Sequence, residues 1–193
     1  MSKFYRAIKA FFIPITKLIF RVKVVGIENV PKDKPFMLCC NHTSMLDIVL
    51  LIAFCPRAIS FMAKKELFKV PVLSGIFKRM GAFPVDRGGR DINSIRHSMK
   101  IIEDGNVLGI FPEGKRYRQG PMREVKTGCA FIAPKTGADV LPVCIYKEGK
   151  AHPFSKVTLR FVEVIPNDAL CDGKPTKEKL IEMSDIIHKS ILK

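Results

Sequence analysis

Residues 35–54 read PFMLCCNHTSMLDIVLLIAF. The first six residues carry no strongly polar side chain, which is typical of a strand that is buried on both faces. A second apolar run begins after the polar segment, and we predict a helix over residues 44–54. The segment between the two runs must therefore turn the chain from the end of a strand into a helix, with Thr43 or Ser44 as the helix cap.

Short apolar runs alternate with longer amphipathic ones along the rest of the chain. Strands are predicted at residues 21–27, 35–40, 58–62, 82–85, 107–111, 139–145 and 156–165. Helices are predicted at residues 4–20 with a break near Pro14, 44–54, 71–79, 91–103, 126–136 and 176–191. This order predicts a single α/β domain, with a mostly parallel or mixed sheet flanked by helices. Sheets of this kind bind ligands beyond the carboxyl ends of their strands.

The chain is strongly basic, with 33 Lys and Arg against 18 Asp and Glu and a formal charge of +15. Such a surface attracts polyanions, which include nucleic acid, anionic lipid and phosphorylated substrates, and the charge alone does not choose among them. The six cysteines lie mostly in apolar runs and form no Cys-x-x-Cys pair. This pattern argues against a disulfide framework or a zinc site and favours a reducing, cytosolic setting.

The N-terminal segment is both apolar and basic. No run in the chain approaches the roughly 20 apolar residues that span a bilayer, and no acidic residue precedes Glu28. Large apolar side chains recur at roughly helical spacing: Phe4, Tyr5, Ile8, Phe11, Phe12 and Ile15. We therefore predict an amphipathic, membrane-anchoring helix over residues 1–20, which lies in the interface and precedes a functional domain over residues 21–193. The alternative is a helix packed on the core of its own domain.

His42 and Asp47 form the most informative pair in the chain. His42 should leave the end of a strand, and Asp47 should lie in the first turn of the next helix, folded back towards the imidazole. The carboxylate can then accept a hydrogen bond from one ring nitrogen and leave the other as a base that deprotonates a hydroxyl. Backbone amides at the start of the same helix are candidates for stabilising an oxyanion. A structural histidine and a dipole-favoured aspartate are the alternative, because this spacing also arises by chance.

Two other predicted turns carry candidate phosphate ligands. Arg87 follows a short strand in the glycine-flanked segment GAFPVDRG, residues 81–88, and its planar guanidinium suits a phosphate. Lys64, within MAKKEL at residues 62–67, could reach the same pocket. An exposed position facing water is the alternative for both side chains.

The segment FPEGKR, residues 111–116, follows the predicted strand VLGI. It contains Glu113, Gly114, Lys115 and Arg116. The glycine permits a close approach of the backbone, the two bases add positive charge, and the glutamate could orient one of them through an ion pair. Pro142 lies in LPVCIY, which closes a further strand with an apolar wall. A solvated basic turn and plain core are the alternative interpretations.

Taken in order, the segments NHTSMLD, GAFPVDRG, FPEGKR and LPVCIY resemble the four motif blocks of the glycerolipid acyltransferase family. The resemblance extends over about residues 20–165, and Lys64 also matches a family position. The third block often has Ser or Thr after its glycine, where this chain has Lys115. The similarity is strongest to the branch of the family that acylates 1-acyl-sn-glycerol 3-phosphate.

The resemblance implies transfer of a fatty acyl group from acyl-CoA or acyl-carrier protein to the free hydroxyl of 1-acyl-sn-glycerol 3-phosphate (lysophosphatidic acid), giving phosphatidic acid for phospholipid biosynthesis. It implies that His42 is the general base and that Asp47 orients it. By the same match, Arg87, Lys64, Lys115 and Arg116 bind the substrate phosphate, and Glu113, Gly114, Asn41 and Pro142 shape or support the loops. No metal or cofactor is implied. The expected location is the cytoplasmic face of an anionic membrane, as a peripheral, monotopic protein without a nucleic-acid partner.

Three other functions stay open. Within the enzyme class, the acceptor could be glycerol 3-phosphate or another lysolipid. A non-catalytic basic module that binds nucleic acid or membrane would explain the charge, but not the coexistence of NHTSMLD and FPEGKR. A hydrolase with a serine nucleophile is disfavoured because the sequence contains no Gly-x-Ser-x-Gly elbow.

Overall fold

The computed structural model of the chain describes residues 1–85, 91–117, 127–147, 154–171 and 175–192. Within these residues the strands are β1 Arg21–Val25, β2 Phe36–Cys40, β3 Ile59–Lys64, β4 Phe83–Val85, β5 Val107–Ile110, β6 Asp139–Lys147 and β7 Lys156–Phe161. They form one sheet in the order β1-β7-β6-β2-β5-β3-β4. Neighbouring strands are parallel except for β6 and β7, which are antiparallel. The predicted α/β domain with a mixed sheet is therefore confirmed.

The helices of the described residues are α1 Lys3–Ile19, α2 Leu46–Phe54, α3 Pro71–Arg79, α4 Ile92–Glu103, α5 Thr127–Thr136, α6 Asn167–Leu170 and α7 Lys177–Ile191. Helices α1 and α2 cover one face of the sheet, and α4, α5 and α7 cover the other. Leu38 and Cys40 of β2 point into the first layer, whereas Met37 and Cys39 point into the second. Because β2 is buried on both faces, its sequence is apolar without alternation.

Helix α1 differs from its prediction at Pro14, because the helix runs unbroken through the proline. A proline removes the helical hydrogen bond to the carbonyl four residues earlier, here that of Ala10, while the hydroxyl of Thr16 donates to the carbonyl of Phe12 at 2.8 Å in the following turn. Packing of the helix on the core then maintains its course. The predicted break is therefore wrong.

The inner face of α1 belongs to the core of the domain. Tyr5 is buried, and its hydroxyl accepts a hydrogen bond of 3.1 Å from the amide of Ile59. Ile8 and Phe12 pack against the same core. The alternative of core packing therefore holds for this face, whereas Phe11 and Leu18 on the outer face are 61% and 75% exposed. Within the described ranges, no helix has the length and apolar character that crossing a bilayer requires.

The strand register brings three chain segments to one edge of the sheet. Near the carboxyl end of β2, Cys39 pairs with Ile110 of β5, and Cys40 pairs with Val143 of β6. The residues that follow β2 therefore lie between the turn after β5 and the last residues of β6. This edge is where the sequence predicted a ligand site.

Candidate active site

His42 is the second residue beyond the end of β2. Its side chain is buried and stacks on the ring of Phe111, with 3.9 Å between the ring centroids. Nδ1 lies 3.1 Å from Oδ2 of Asp47, in the first turn of α2. When the carboxylate is ionised it can only accept, so Nδ1 carries the proton and Nε2 remains as the basic nitrogen. The predicted contact between the two residues is confirmed.

Asp47 is fully buried and receives several hydrogen bonds. The amides of Thr43 and Ser44 each donate to Oδ2 at 2.7 Å, and Nζ of Lys147 donates to Oδ1 at 2.5 Å. Burial raises the pKa of this carboxyl by disfavouring its charge, but the hydrogen bond from His42 and the charge of Lys147 outweigh that effect. The pKa of Asp47 therefore lies below its usual value, and the group is a carboxylate at neutral pH.

The backbone of His42 is held by the turn that follows β5. Oε1 of Glu113 accepts a hydrogen bond of 2.8 Å from the amide of His42, and the amide of Tyr117 donates to the carbonyl of His42 at 2.7 Å. Gly114 has a φ of 71°, a conformation that a glycine adopts without strain, and it closes this turn on the carbonyl of Phe111. The predicted ion pair between Glu113 and a neighbouring base is wrong. The carboxylate of Glu113 is buried and bonds the backbone amide of His42 instead.

The pKa of Glu113 is shifted in the opposite direction from that of Asp47. Burial raises the pKa of the Glu113 carboxyl, and the hydrogen bond from the amide of His42 opposes this rise only in part. Its carboxyl is therefore easier to protonate than a solvated glutamate.

Asn41 joins the start of the His42 turn to β6. Its side-chain amide donates to the carbonyl of Ile145 at 3.0 Å, and the amide of Ile145 donates back to Oδ1 at 2.7 Å. These two bonds extend the contact between β2 and β6 past the last paired residues. Pro142 lies further back in β6, buried opposite Cys39, and so contributes core wall rather than a polar group.

Three of the predicted phosphate ligands are described by the structure, and they lie near this edge of the sheet. Lys64 ends β3 and is exposed, with Nζ at 3.4 Å from Oε1 of Glu66. Lys115 and Arg116 are exposed in the turn after β5. Arg87 lies outside the described residues, although β4 ends at Val85 directly beside Lys64.

The amides at the start of α2 do not serve as free oxyanion donors. Those of Thr43 and Ser44 are bonded to Asp47, the amide of Leu46 donates to Oγ of Ser44, and that of Asp47 donates to the carbonyl of Ser44. The prediction is wrong for these four groups because two of them bond the carboxylate of Asp47 and the other two bond Ser44 within the turn. The predicted cap by Thr43 or Ser44 is also wrong, because α2 begins at Leu46 with Met45 as its cap residue and without a capping bond from that side chain.

Lys147 is a site residue that the sequence analysis missed. It ends β6, its side chain is 10% exposed, and Nζ also donates to Oγ1 of Thr43 at 2.9 Å. The available signal was a lysine directly after LPVCIY, at a strand end on the ligand-binding edge. Its contact with Asp47 requires β6 to lie next to β2, and spacing along the chain does not reveal that neighbour relation.

No cluster of three or more His, Cys, Asp or Glu able to hold a metal ion occurs in the described part of the chain. The six cysteines are thiols rather than parts of disulfides. The titratable groups described at this edge include the imidazole of His42, the carboxyl groups of Asp47 and Glu113 and the ammonium of Lys147.

Known proteins are similar to this chain in both sequence and fold. The acyltransferase family model matches residues 21–146. The 1-acyl-sn-glycerol-3-phosphate acyltransferase of Bacillus subtilis is 31% identical over 173 residues, which cover 88% of this chain and 86% of that protein. The protein of that name from Borreliella burgdorferi is 35% identical over 132 residues, which cover 65% of this chain and 51% of that protein.

Among solved structures, the 1-acyl-sn-glycerophosphate (LPA) acyltransferase PlsC from Thermotoga maritima matches with a TM-score of 0.78 and 28% identity. The match covers 97% of this chain and 78% of that one. The resemblance drawn from the four motif blocks is thereby confirmed, and the chain belongs to the acyltransferase family.

Proposed function

We propose that this chain transfers a fatty acyl group from the thioester of acyl-CoA or acyl-carrier protein to the free hydroxyl of 1-acyl-sn-glycerol 3-phosphate. The product is phosphatidic acid. The observation that carries the proposal is the 3.1 Å contact between Nδ1 of His42 and Oδ2 of Asp47 at the carboxyl edge of the sheet. The names of the relatives from Bacillus subtilis and Borreliella burgdorferi support the choice of acceptor.

The reaction begins with a proton transfer to His42. Nε2 removes the proton of the acceptor hydroxyl as its oxygen attacks the thioester carbonyl, a contribution worth roughly 10²–10⁴ in rate. Asp47 stabilises the imidazolium that forms. The tetrahedral intermediate then collapses, the C–S bond breaks, and the departing thiolate takes the proton from the imidazolium. No serine nucleophile is needed, since the acceptor supplies the hydroxyl.

The phosphate of the acceptor is bound by basic residues around this edge. We assign Arg87 the main contact, with Lys64, Lys115 and Arg116 as helpers. The exposure of Lys64, Lys115 and Arg116 leaves their charges available to a ligand that arrives from solvent or from a membrane surface. Glu113 and Gly114 support the site by fixing the backbone around His42.

The protein acts on the cytoplasmic face of a membrane in this proposal, where its lipid acceptor resides. Besides Phe11 and Leu18 of α1, the start of α3 exposes Val72 at 73%. The two helices are neighbours, since the guanidinium of Arg79 lies 5.5 Å from the ring centroid of Phe4. A basic residue near an anionic leaflet contributes about 1 kcal/mol of attraction, which fits the formal charge of +15.

The acceptor is tested with purified protein, oleoyl-CoA and three acceptors in competition: lysophosphatidic acid, glycerol 3-phosphate and a lysolipid without a terminal phosphate. The proposal predicts phosphatidic acid as the main product. Preferential acylation of glycerol 3-phosphate would contradict the proposed acceptor and support the alternative one. Binding of nucleic acid that weakens with salt, without any acyl transfer, would support the non-catalytic module instead.

Membrane contact is tested through the outer face of α1, because deletion of residues 1–20 would also remove the core residue Tyr5. Phe11→Ser combined with Leu18→Ser should weaken co-sedimentation with anionic vesicles. The matched control is Ile181→Ser, which changes an exposed apolar residue of α7 on the other side of the sheet. Equal sedimentation of the double variant, the control and the unaltered protein would contradict the assignment of α1.

A further inference from the structure

Lys147 is an unusual residue to find beside a buried carboxylate at the centre of a site. Its side chain is 10% exposed, and its ammonium contacts Oδ1 of Asp47 and Oγ1 of Thr43. Removing a lysine from water is costly unless it is paired and hydrogen-bonded. The long, flexible side chain of a lysine at a strand end can reach solvent easily, so its inward placement calls for a reason.

The groups that face the imidazole of His42 explain what the ammonium does. The carboxylate of Asp47 approaches from α2, the carboxyl of Glu113 from the turn after β5, and Lys147 from β6. Cys40 of β2 is also near, and burial raises the pKa of its thiol well above the usual value, so it contributes no charge at neutral pH. Without the lysine, the imidazole would face two carboxyl groups, with His188 of α7 near Glu113 as a further titratable group.

Such an excess of negative charge would favour the imidazolium in the resting protein. An imidazolium has no free lone pair and cannot act as a base. A cation near the carboxylates therefore preserves the form of the imidazole that can accept a proton.

We propose that Lys147 is a positioning residue, which fixes Asp47 against His42 and offsets its charge so that the resting imidazole stays neutral and basic. This inference rests on the proposed acyl transfer from His42. The ammonium bonds Oδ1 of Asp47, whereas the ring contacts Oδ2. Because Asp47 is the nearer partner of the ring, its attraction for the developing imidazolium exceeds the repulsion from Lys147.

The experiment compares pH profiles of kcat/KM for the unaltered protein, Lys147→Met and Lys147→Arg, with oleoyl-CoA and lysophosphatidic acid. The methionine variant should shift the acidic limb of the profile to higher pH by about one unit. Its kcat at neutral pH should fall by no more than about tenfold, with KM for either substrate changed by less than about twofold. The arginine variant keeps the charge and should return the acidic limb to its original position.

The matched control is Lys34→Met, which removes a lysine paired with Asp139 at the opposite end of β6. This variant should leave the pH profile unchanged. A rise in KM for lysophosphatidic acid in Lys147→Met would make Lys147 a ligand contact and overturn the inference. So would an activity loss that is equal at all pH values and is not restored by arginine, because a merely structural role would give that result.

An NMR titration of the His42 ring separates this inference from the proposed function. The inference predicts that the midpoint of the imidazole titration rises in Lys147→Met, whether or not the acceptor has been identified correctly. An unchanged midpoint would overturn the role of Lys147. Absence of acyl transfer in the unaltered protein, together with a shifted midpoint, would overturn the proposed function alone.

Discussion

Two turns at the same edge of the sheet each bring a buried carboxyl group to His42, and they treat it in opposite ways. In the turn after β2, Asp47 receives bonds from two backbone amides, from the imidazole and from Lys147. In the turn after β5, Glu113 receives its bond from the amide of His42. The pKa of Asp47 is lowered and that of Glu113 is raised.

This difference shows that burial alone does not decide the charge of a carboxyl group. Burial acts against ionisation at both residues, but the donors around Asp47 outweigh it, whereas the bond from the amide of His42 to Glu113 does not. In the proposed function, Asp47 takes part in the proton transfer, whereas Glu113 holds the backbone of His42. The predictions below test this division of roles.

Of the two carboxyl groups, Asp47 should show the larger effect, in Asp47→Asn. An amide in place of the carboxylate no longer enforces the tautomer with the proton on Nδ1, and it cannot stabilise the imidazolium. We expect kcat for acyl transfer to fall by roughly 10³–10⁴, the scale seen when the orienting carboxylate of a histidine-based triad becomes an amide. Steady-state kinetics with lysophosphatidic acid measures this, with circular dichroism as a check on folding. A loss of less than tenfold would remove Asp47 from the proton-transfer role.

A smaller effect is expected for Glu113→Gln. The glutamine oxygen can still accept the hydrogen bond from the amide of His42, and the exchange of a charged acceptor for a neutral one is worth about 1 kcal/mol. We therefore expect kcat to stay within about tenfold of the unaltered protein. A loss as severe as that of Asp47→Asn would show that Glu113 takes part in the chemistry.

The smallest effects concern stability against pH, where the two carboxyl groups should act with opposite sign. The lowered pKa of Asp47 stabilises the folded state above the usual aspartate pKa of about 4, and this contribution is lost as the pH falls through the lowered value. The raised pKa of Glu113 means that its ionised form destabilises the folded state at neutral pH. This destabilisation disappears as the carboxyl is protonated at lower pH.

Thermal unfolding of both variants from pH 7 to pH 3 measures this contrast. Asp47→Asn should melt below the unaltered protein at pH 7, and Glu113→Gln should melt at the same temperature or above it. Both differences should narrow on acidification. Shifts of the same sign in the two variants would contradict the opposite pKa directions.

Most of the fold could be predicted because its signals are local. The apolar run at residues 36–40 marks a strand buried on both faces, and the helical stripe at residues 177–191 marks a packed helix. The course of α1 through Pro14 could not be predicted in the same way. Its inner face is stabilised by contacts with Ile59 and the core, which are distant in the sequence.

In the site, too, local contacts could be predicted from the sequence, whereas contacts between distant segments could not. The contact of His42 with Asp47 follows from five residues of spacing and from a strand that leads into a helix. The roles of Lys147 and Glu113 depend on which strands lie beside β2, so neither contact follows from the sequence alone. The use of the amides of Thr43 and Ser44 as ligands of Asp47, rather than of an oxyanion, is likewise a property of the folded turn.

The central claim is that the Nε2 atom of His42 removes the proton of the acceptor hydroxyl. The most direct measurement is the rate of phosphatidic acid formation from lysophosphatidic acid and oleoyl-CoA by the purified protein and by its His42→Ala variant. We predict that the unaltered protein forms product, whereas the variant keeps its circular dichroism spectrum and loses acyl transfer by at least about 100-fold. A folded variant that forms phosphatidic acid at the original rate would contradict the account.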